Sequence, residues 1–462
     1  MSREPLTRHR RVHLSGSELL IGLPPGLLPA LLPELHTVRV DGGLRRKDGL
    51  SLTYGELRAP RSVTGVWCRV RGSGRPPGSE SSAASAAGWP GGCRGLATVG
   101  RMSSENGESG PQLHVVLIGY GKGGEVFHAP LIAATPGLRL AAVVTGNPER
   151  AAAVRRRYPG TEVIGSAEEL WARAGEFEIA VVTTPNDTHA PLAAAALEAG
   201  LSVVVDKPFA LGSDQARELV ERAERLGRVL TVYQNRRWDS DFLTLWRLID
   251  EGALGRVHRF ESRFERWRPK AKDTWRDGGT VEQGAGILYD LGPHLIDQAI
   301  NLFGPVAGVY AELDARRAGV AAEDDAFLAL THRGGVRSQL WMSALAARPG
   351  PRFRVLGDQG GFTVQGMDGQ EDRLTAGETP DAADWGVQPE ETWGLAGAED
   401  DVRPVPAVRG AYPDFYAGVR DAVGEGEPVP VEPHEVVHGL EVIEAARRSA
   451  AEHRVVAPGE QG

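Results

Sequence analysis

From Leu113 onward the chain repeats one hydrophobic pattern. Short, unbroken apolar runs rich in β-branched residues recur: LHVVLIG (113–119), LRLAAVVT (138–145), FEIAVVTT (177–184), SVVVDK (202–207) and RVLTVYQ (228–234). Runs without polar alternation are expected of parallel strands buried on both faces. Helical stretches separate them at 148–158, 167–173, 188–199 and 213–226, with Thr188 and Ser213 as candidate N-caps and Gly200 and Gly227 as candidate stops. This alternation predicts a parallel sheet covered by helices on both sides.

After about Tyr233 the pattern changes. A predicted helix (242–251) leads to VHRFESRFERW (257–267), a strand with partial alternation. Further strand-like runs lie at 306–314, 325–332, 336–345, 353–357 and 361–366, some separated by Gly334-Gly335 and Gly360-Gly361 as in hairpins. Residues 368–409, rich in Asp, Glu, Gly and Pro, predict a long surface excursion, and two helices (413–423 and 433–450) close the chain.

The start of the chain differs in kind. Up to Arg101 there are 15 Lys+Arg and 7 Asp+Glu, a net of +8, which leaves −17 on the rest of a chain whose total is −9. The apolar stretch LLIGLPPGLLPALLPEL is interrupted by Pro24, Pro25, Pro29 and Pro33, which prevent a regular helix. Residues 72–110 have linker composition. Three readings of residues 1–101 stay open: a poorly ordered extension, sequence upstream of a true start at Met102, or an export signal at Arg10-Arg11. The prolines and the lack of a clean A-x-A site make export the weakest, so a cytoplasmic protein is expected. With 462 residues, two or three domains are expected. The predicted organisation is 1–110 as this extension or mis-assigned start, 111–233 as a dinucleotide-binding domain, and 234–455 as a substrate and oligomerisation domain. The acidic balance argues against nucleic acid. No apolar run is long enough to span a membrane. Cys68 and Cys93 cannot form a disulfide framework, and the 12 dispersed histidines, without HExxH, predict no metal site.

Gly119-Tyr120-Gly121-Lys122-Gly123-Gly124 follows the first strand and fits G-x-G-x-x-G. Gly119 allows the tight turn, Gly121 lets backbone approach a pyrophosphate, and Gly124 lets helix and strand pack. Lys122 either assists the phosphates or is solvated. At the end of the second strand Thr145-Gly146-Asn147 offers no carboxylate for a ribose 2′-hydroxyl, and Arg150 follows closely. That favours NADP, with NAD possible; the alternative is that Asn147 only caps a helix and Arg150 is solvated. Lys207, at the carboxyl end of a parallel strand, faces the ligand crevice, where a desolvated amine can polarise an oxygen. Asp290 and His294 are four apart and share one helix face, so the carboxylate can hold the imidazole as a general base. A surface pair or a metal-binding pair fits the same spacing.

Together, VVTTPNDTHAPLAAAALEAG (181–200), VVVDKPFA (203–210), GAGILYDLGPHLIDQAI (284–300), the FHAP after the glycine loop and QNRRWDSD (234–241) resemble the Gfo/Idh/MocA oxidoreductases. The likeness is greatest to their NADP-dependent scyllo-inositol dehydrogenase-like branch and covers roughly 112–455. The resemblance implies α/β architecture: a Rossmann domain followed by an α/β domain with a large open, mostly antiparallel sheet. It implies Lys207, Asp290 and His294 as catalytic groups, and places Thr183, Pro185, Asn186 and His189 near the nicotinamide ribose. Gln234, Asn235, Arg236, Arg266 and Trp275 are candidates for the substrate pocket, although an arginine there can equally form an inter-domain ion pair. Pro293 departs from the family's pattern; it is harmless in a first helical turn and disruptive farther in. The implied function is hydride transfer between nicotinamide and a secondary alcohol of a small polyol or sugar, in a homo-oligomer (dimer or tetramer). A dinucleotide-sensing regulator without turnover, or a redox-assisted elimination or glycoside cleavage, are the alternatives.

Overall fold

The computed structural model describes residues 10–14, 17–21, 112–271 and 278–460. Arg10–Leu14 and Ser17–Ile21 pair as an antiparallel hairpin. The rest of the predicted 1–110 segment, with both cysteines and Met102, lies outside the described residues.

Six parallel strands form the first sheet: β1 (Leu113–Ile118), β2 (Leu138–Val144), β3 (Glu162–Ile164), β4 (Ile179–Val182), β5 (Ser202–Val205) and β6 (Leu230–Val232). Their order is β3-β2-β1-β4-β5-β6. The order reverses between β1 and β4, so ligands are received outside the carboxyl ends of these strands. The unbroken apolar runs are explained by burial on both faces: Val115, Val116, Leu117, Val181 and Val182 are wholly inaccessible. A single π-helical turn (Gly123–His128) precedes α1 (Ala129–Ala134). The other helices here are α2 (Pro148–Arg157), α3 (Ala167–Trp171), α4 (His189–Glu198) and α5 (Ser213–Leu226).

Two predicted caps are corrected. Thr188 precedes α4 but makes no capping bond; its hydroxyl donates to the Pro185 carbonyl instead. Ser213 is the first residue of α5, where its N–H and hydroxyl donate to Glu444 from the end of the chain. In both cases a tertiary or turn partner displaces the local one. Gly227 does end α5, at φ +62°.

The second sheet has eight strands: β7 (Val257–Glu265), β8 (Val306–Asp314), β9 (Asp325–His332), β10 (Arg337–Ser343), β11 (Phe353–Gly357), β12 (Gly361–Val364), β13 (Leu395–Ala398) and β14 (Asp401–Pro404). Their order is β8-β9-β10-β7-β11-β12-β13-β14, and only β10 with β7 is parallel. The predicted surface excursion is therefore partly wrong. It supplies the last two strands on one side of the sheet, β13 and the edge strand β14, and α8 (Gln370–Thr375), and it buries Asp368, Gln370 and Trp385.

Helix α6 (Ser240–Asp250) joins the sheets, and α7 (Ile287–Phe303) packs between the second sheet and the long closing helix α10 (Pro433–Glu452), which follows α9 (Tyr412–Glu425). Residues from Leu288 to Ile300 of α7 are buried with a single exception, Asp290. A helix apolar nearly all round belongs inside. Pro293 lies inside α7, beyond its first turn, so the Tyr289 carbonyl loses its helical donor. Among the described residues no helix is long and apolar enough to cross a membrane.

Candidate active site

The glycine loop separates the demands of packing from those of a ligand. Gly119 has φ +101°, and a Cβ there would lie 2.7 Å from the Thr183 carbonyl oxygen. A Cβ on Gly124 would lie 2.5 Å from the Gly119 carbonyl oxygen. A Cβ on Gly121 would meet nothing within 4 Å. The outer glycines are thus needed for the strand to turn into the helix, and the middle one borders open space where a pyrophosphate can approach backbone N–H groups. The loop fits a dinucleotide. Lys122 is neither free nor merely solvated: its Nζ pairs with Glu371 of α8 at 3.3 Å. At the end of β2, the Asn147 side-chain oxygen caps α2 by accepting from the N–H groups of Glu149 and Arg150. Capping is therefore real, and it leaves the Asn147 amide group and the exposed Arg150 guanidinium as donors.

Lys207 follows β5 at the crevice. Its Nζ donates to the Asp290 carbonyl at 2.6 Å and pairs with the Asp290 carboxylate at 3.3 Å. The first turn of α7 therefore holds the lysine across the two sheets. Asp206, the neighbour of Lys207 in sequence, faces elsewhere: it accepts from the Lys207 N–H and from Thr183, and its carboxylate lies 3.6 Å from His128 of the FHAP stretch. Burial opposes charge on Asp206, but His128, His189 and Lys207 outweigh it and hold its carboxyl well below the usual range.

His294 lies one turn along α7 from Asp290 and is 5% exposed. The predicted Asp290–His294 bond is not made. The His294 Nδ1 is buried without a hydrogen-bond partner, and Asp290 serves the lysine instead. Burial, then the charges of Lys207, Arg236, Arg352 and Arg266, holds the imidazole well below its ordinary pKa. It stays neutral at neutral pH, as a proton acceptor must be. Its ring is inclined 24° to that of Phe264, at 6.5 Å between centroids, and the Arg236 and Arg266 guanidinium groups sit 5.0 and 4.5 Å from the centre of the Phe264 ring.

Other predicted residues divide. Asn186 donates to the Gly284 carbonyl and borders the recess that contains Lys207 and Asp290. The Pro185 carbonyl is taken by Thr188. His189 is corrected: its two ring nitrogens lie 2.8 Å from the Pro208 carbonyl and 2.9 Å from that of Thr184, so it ties the lysine turn to β4's loop rather than reaching a cofactor. Gln234, Asn235 and Arg236 are buried. All three are at most 4% exposed, and Arg236 donates to Glu371 at 2.5 Å and to Asp239 and Tyr412. Arg266 does line the cleft, beside Asp290. Trp275 lies outside the described residues. Sequence reasoning missed Phe264, Arg352 and Glu371. Arg352, 2% exposed, bridges Ser262 of β7 and Gln298 of α7. No local motif marks these residues, because each has partners on other elements of the fold: Phe264 with His294 and Arg236, Arg352 with Ser262 and Gln298, and Glu371 with Arg236 and Lys122.

Comparison with known proteins agrees with this geometry. Residues 113–234 match the family model for an oxidoreductase family NAD-binding Rossmann fold, and residues 247–457 match that for the oxidoreductase family C-terminal alpha/beta domain. The chain is 44% identical over 346 residues to the uncharacterized oxidoreductase YdgJ of Escherichia coli, covering 74% of this chain and 97% of that protein. It is 34% identical over 349 residues to the scyllo-inositol 2-dehydrogenase (NADP+) IolW of Bacillus subtilis, covering 74% and 95%. Among solved structures, the Bacillus subtilis oxidoreductase yvaA superposes with a TM-score of 0.71 at 33% identity, covering 75% of this chain and 98% of that one.

Proposed function

The chain belongs to the Gfo/Idh/MocA oxidoreductase family, and from that membership we propose that it is an NADP-dependent dehydrogenase for a secondary alcohol of a cyclitol or sugar. The observation that carries this is a Lys207 side chain held by Asp290, with a neutral His294 one turn farther along the same helix and within electrostatic range of the lysine. The dinucleotide supplies the hydride acceptor. In the balanced reaction the alcohol carbon gives its hydride to NADP+ and the hydroxyl gives up its proton, leaving a ketone, NADPH and H+. His294 accepts the hydroxyl proton. Lys207 donates a hydrogen bond to the same oxygen and steadies the charge that builds there. Asp290 positions Lys207. Gly119, Gly121 and Gly124 form the cradle, and Thr145, Asn147 and Arg150 are the residues that meet the adenosine ribose. The NADP linkage of IolW supports the cofactor choice.

The test is absorbance at 340 nm across a panel of inositols and sugars, with each dinucleotide. Turnover should be faster with NADP at equal concentration. Asn147→Asp should reverse the preference, because a carboxylate can keep the α2 cap while repelling a 2′-phosphate. Faster turnover with NAD in the unmodified protein rules out this cofactor assignment. Dinucleotide binding with no turnover of any substrate favours the regulator.

The pH profile follows from His294. Its pKa is lowered, so the oxidation rate, which needs the neutral ring, is kept as pH falls and is lost only below the ordinary imidazole value of about 6.5. Arg266→Met removes one of the surrounding cations and should move the acid limb of kcat/KM upward. An acid limb at or above about 6.5 in the unmodified protein would mean that His294 is not the base.

A further inference from the structure

Resting on the dehydrogenase reading, we infer that the substrate is an anionic sugar, whose carboxylate or phosphate is received by Arg266, Arg268 and Lys270. These side chains line an open cleft beside Asp290, at the end of β7 and the start of α7.

The charge balance of the cleft carries the argument. Its acids are all engaged: Asp290 by Lys207, Glu323 by Arg447 at 2.9 Å, and Asp324 by Arg317 at 2.7 Å. Glu371, also within electrostatic range of Arg266, is held by Arg236 and Lys122. Arg266, Arg268 and Lys270 have no side-chain hydrogen bond or ion pair among the described residues. Arg266 is also half-buried. Burial and the neighbouring Arg268 disfavour its charge, which Asp290 only partly offsets. A half-buried guanidinium without a counter-ion is unfavourable, and a planar anion presented to its fork relieves it. A neutral polyol brings no charge to the half-buried Arg266 fork.

Binding of D-glucuronate, D-glucose 6-phosphate and D-glucose to the full chain, with and without NADP, is measured by calorimetry at low and high salt. At least one anion should bind about tenfold or more tighter than glucose, a gap of ~1.4 kcal/mol. The gap should shrink in the Arg268→Ala/Lys270→Ala double variant and at high ionic strength. Whichever anion binds tighter identifies the group as carboxylate or phosphate. Anion binding no tighter than that of glucose, including no measurable binding of any of the three, overturns the inference, as does a gap unchanged in the double variant. Tight anion binding without oxidation by either dinucleotide leaves the charge preference standing and sinks the dehydrogenase reading instead.

Discussion

Lys207→Ala should lower kcat by roughly 10²–10⁴-fold, the usual contribution of a positioned acid–base group, while dinucleotide affinity stays near that of the unmodified protein. The two effects separate because Lys207 contacts α7, not the glycine loop: its Nζ is spent on the Asp290 carbonyl and carboxylate. Removing it deletes the donor to the reacting oxygen and leaves Asp290 without this cation beside a neutral His294. Asp290→Asn should cost less, because the backbone carbonyl at 2.6 Å, the shorter of the two contacts, is unchanged. The loss should appear in kcat rather than in the position of the acid limb, since Asp290 serves the lysine and not the imidazole. Steady-state kinetics with a separate fluorescence titration of NADPH distinguish these outcomes. Near-normal turnover of the alanine variant would take Lys207 out of the mechanism, and a large rise in the NADPH dissociation constant would make it a cofactor ligand instead.

What was legible in the sequence follows from the range of the forces involved. Strands buried on both faces have no choice of period, so LHVVLIG and FEIAVVTT mark β1 and β4 directly. The glycine fingerprint is legible because steric exclusion acts between neighbours in the chain. Identity alone, however, does not say what a side chain is doing. Arg236 sits where a substrate arginine was expected, yet it is enclosed by Asp239, Tyr412 and Glu371, two of them more than a hundred residues away. His189 follows a family motif, yet backbone carbonyls from two loops take both its nitrogens. The pairing of Asp290 with Lys207 instead of His294 is likewise a choice between a helix neighbour and a residue on the other sheet. Helical spacing allows the first, and only the packed structure shows the second. Glu371 was hidden in a stretch whose acidic, Gly/Pro-rich composition suggests solvent, because composition records an average and not which carboxylates, Glu371 and Asp368 among them, turn inward.

Gly121→Val should abolish dinucleotide binding without unfolding the protein, and it tests the cradle more sharply than any other change in the loop. At Gly124 a side chain collides with the Gly119 backbone at 2.5 Å, so substitution there damages the strand–helix junction and its effect on binding is ambiguous. At Gly121 an added Cβ meets no protein atom within 4 Å, so the folded chain can accept it. What it cannot accept is a pyrophosphate drawn onto the backbone at the same place. Hydrogen bonds to charged groups contribute about 1.5–3 kcal/mol each. Losing two of them weakens affinity by roughly 100-fold or more, at about 1.4 kcal/mol per factor of ten. The melting temperature without dinucleotide should match that of the unmodified protein, whereas the rise in melting temperature on adding NADP should vanish, because only a bound ligand stabilises the folded state by mass action. A Gly121→Val protein that melts several degrees lower without ligand would mean that the glycine serves the fold. One that melts normally and is still stabilised by NADP would mean that the open space beside Gly121 is not where the phosphates lie.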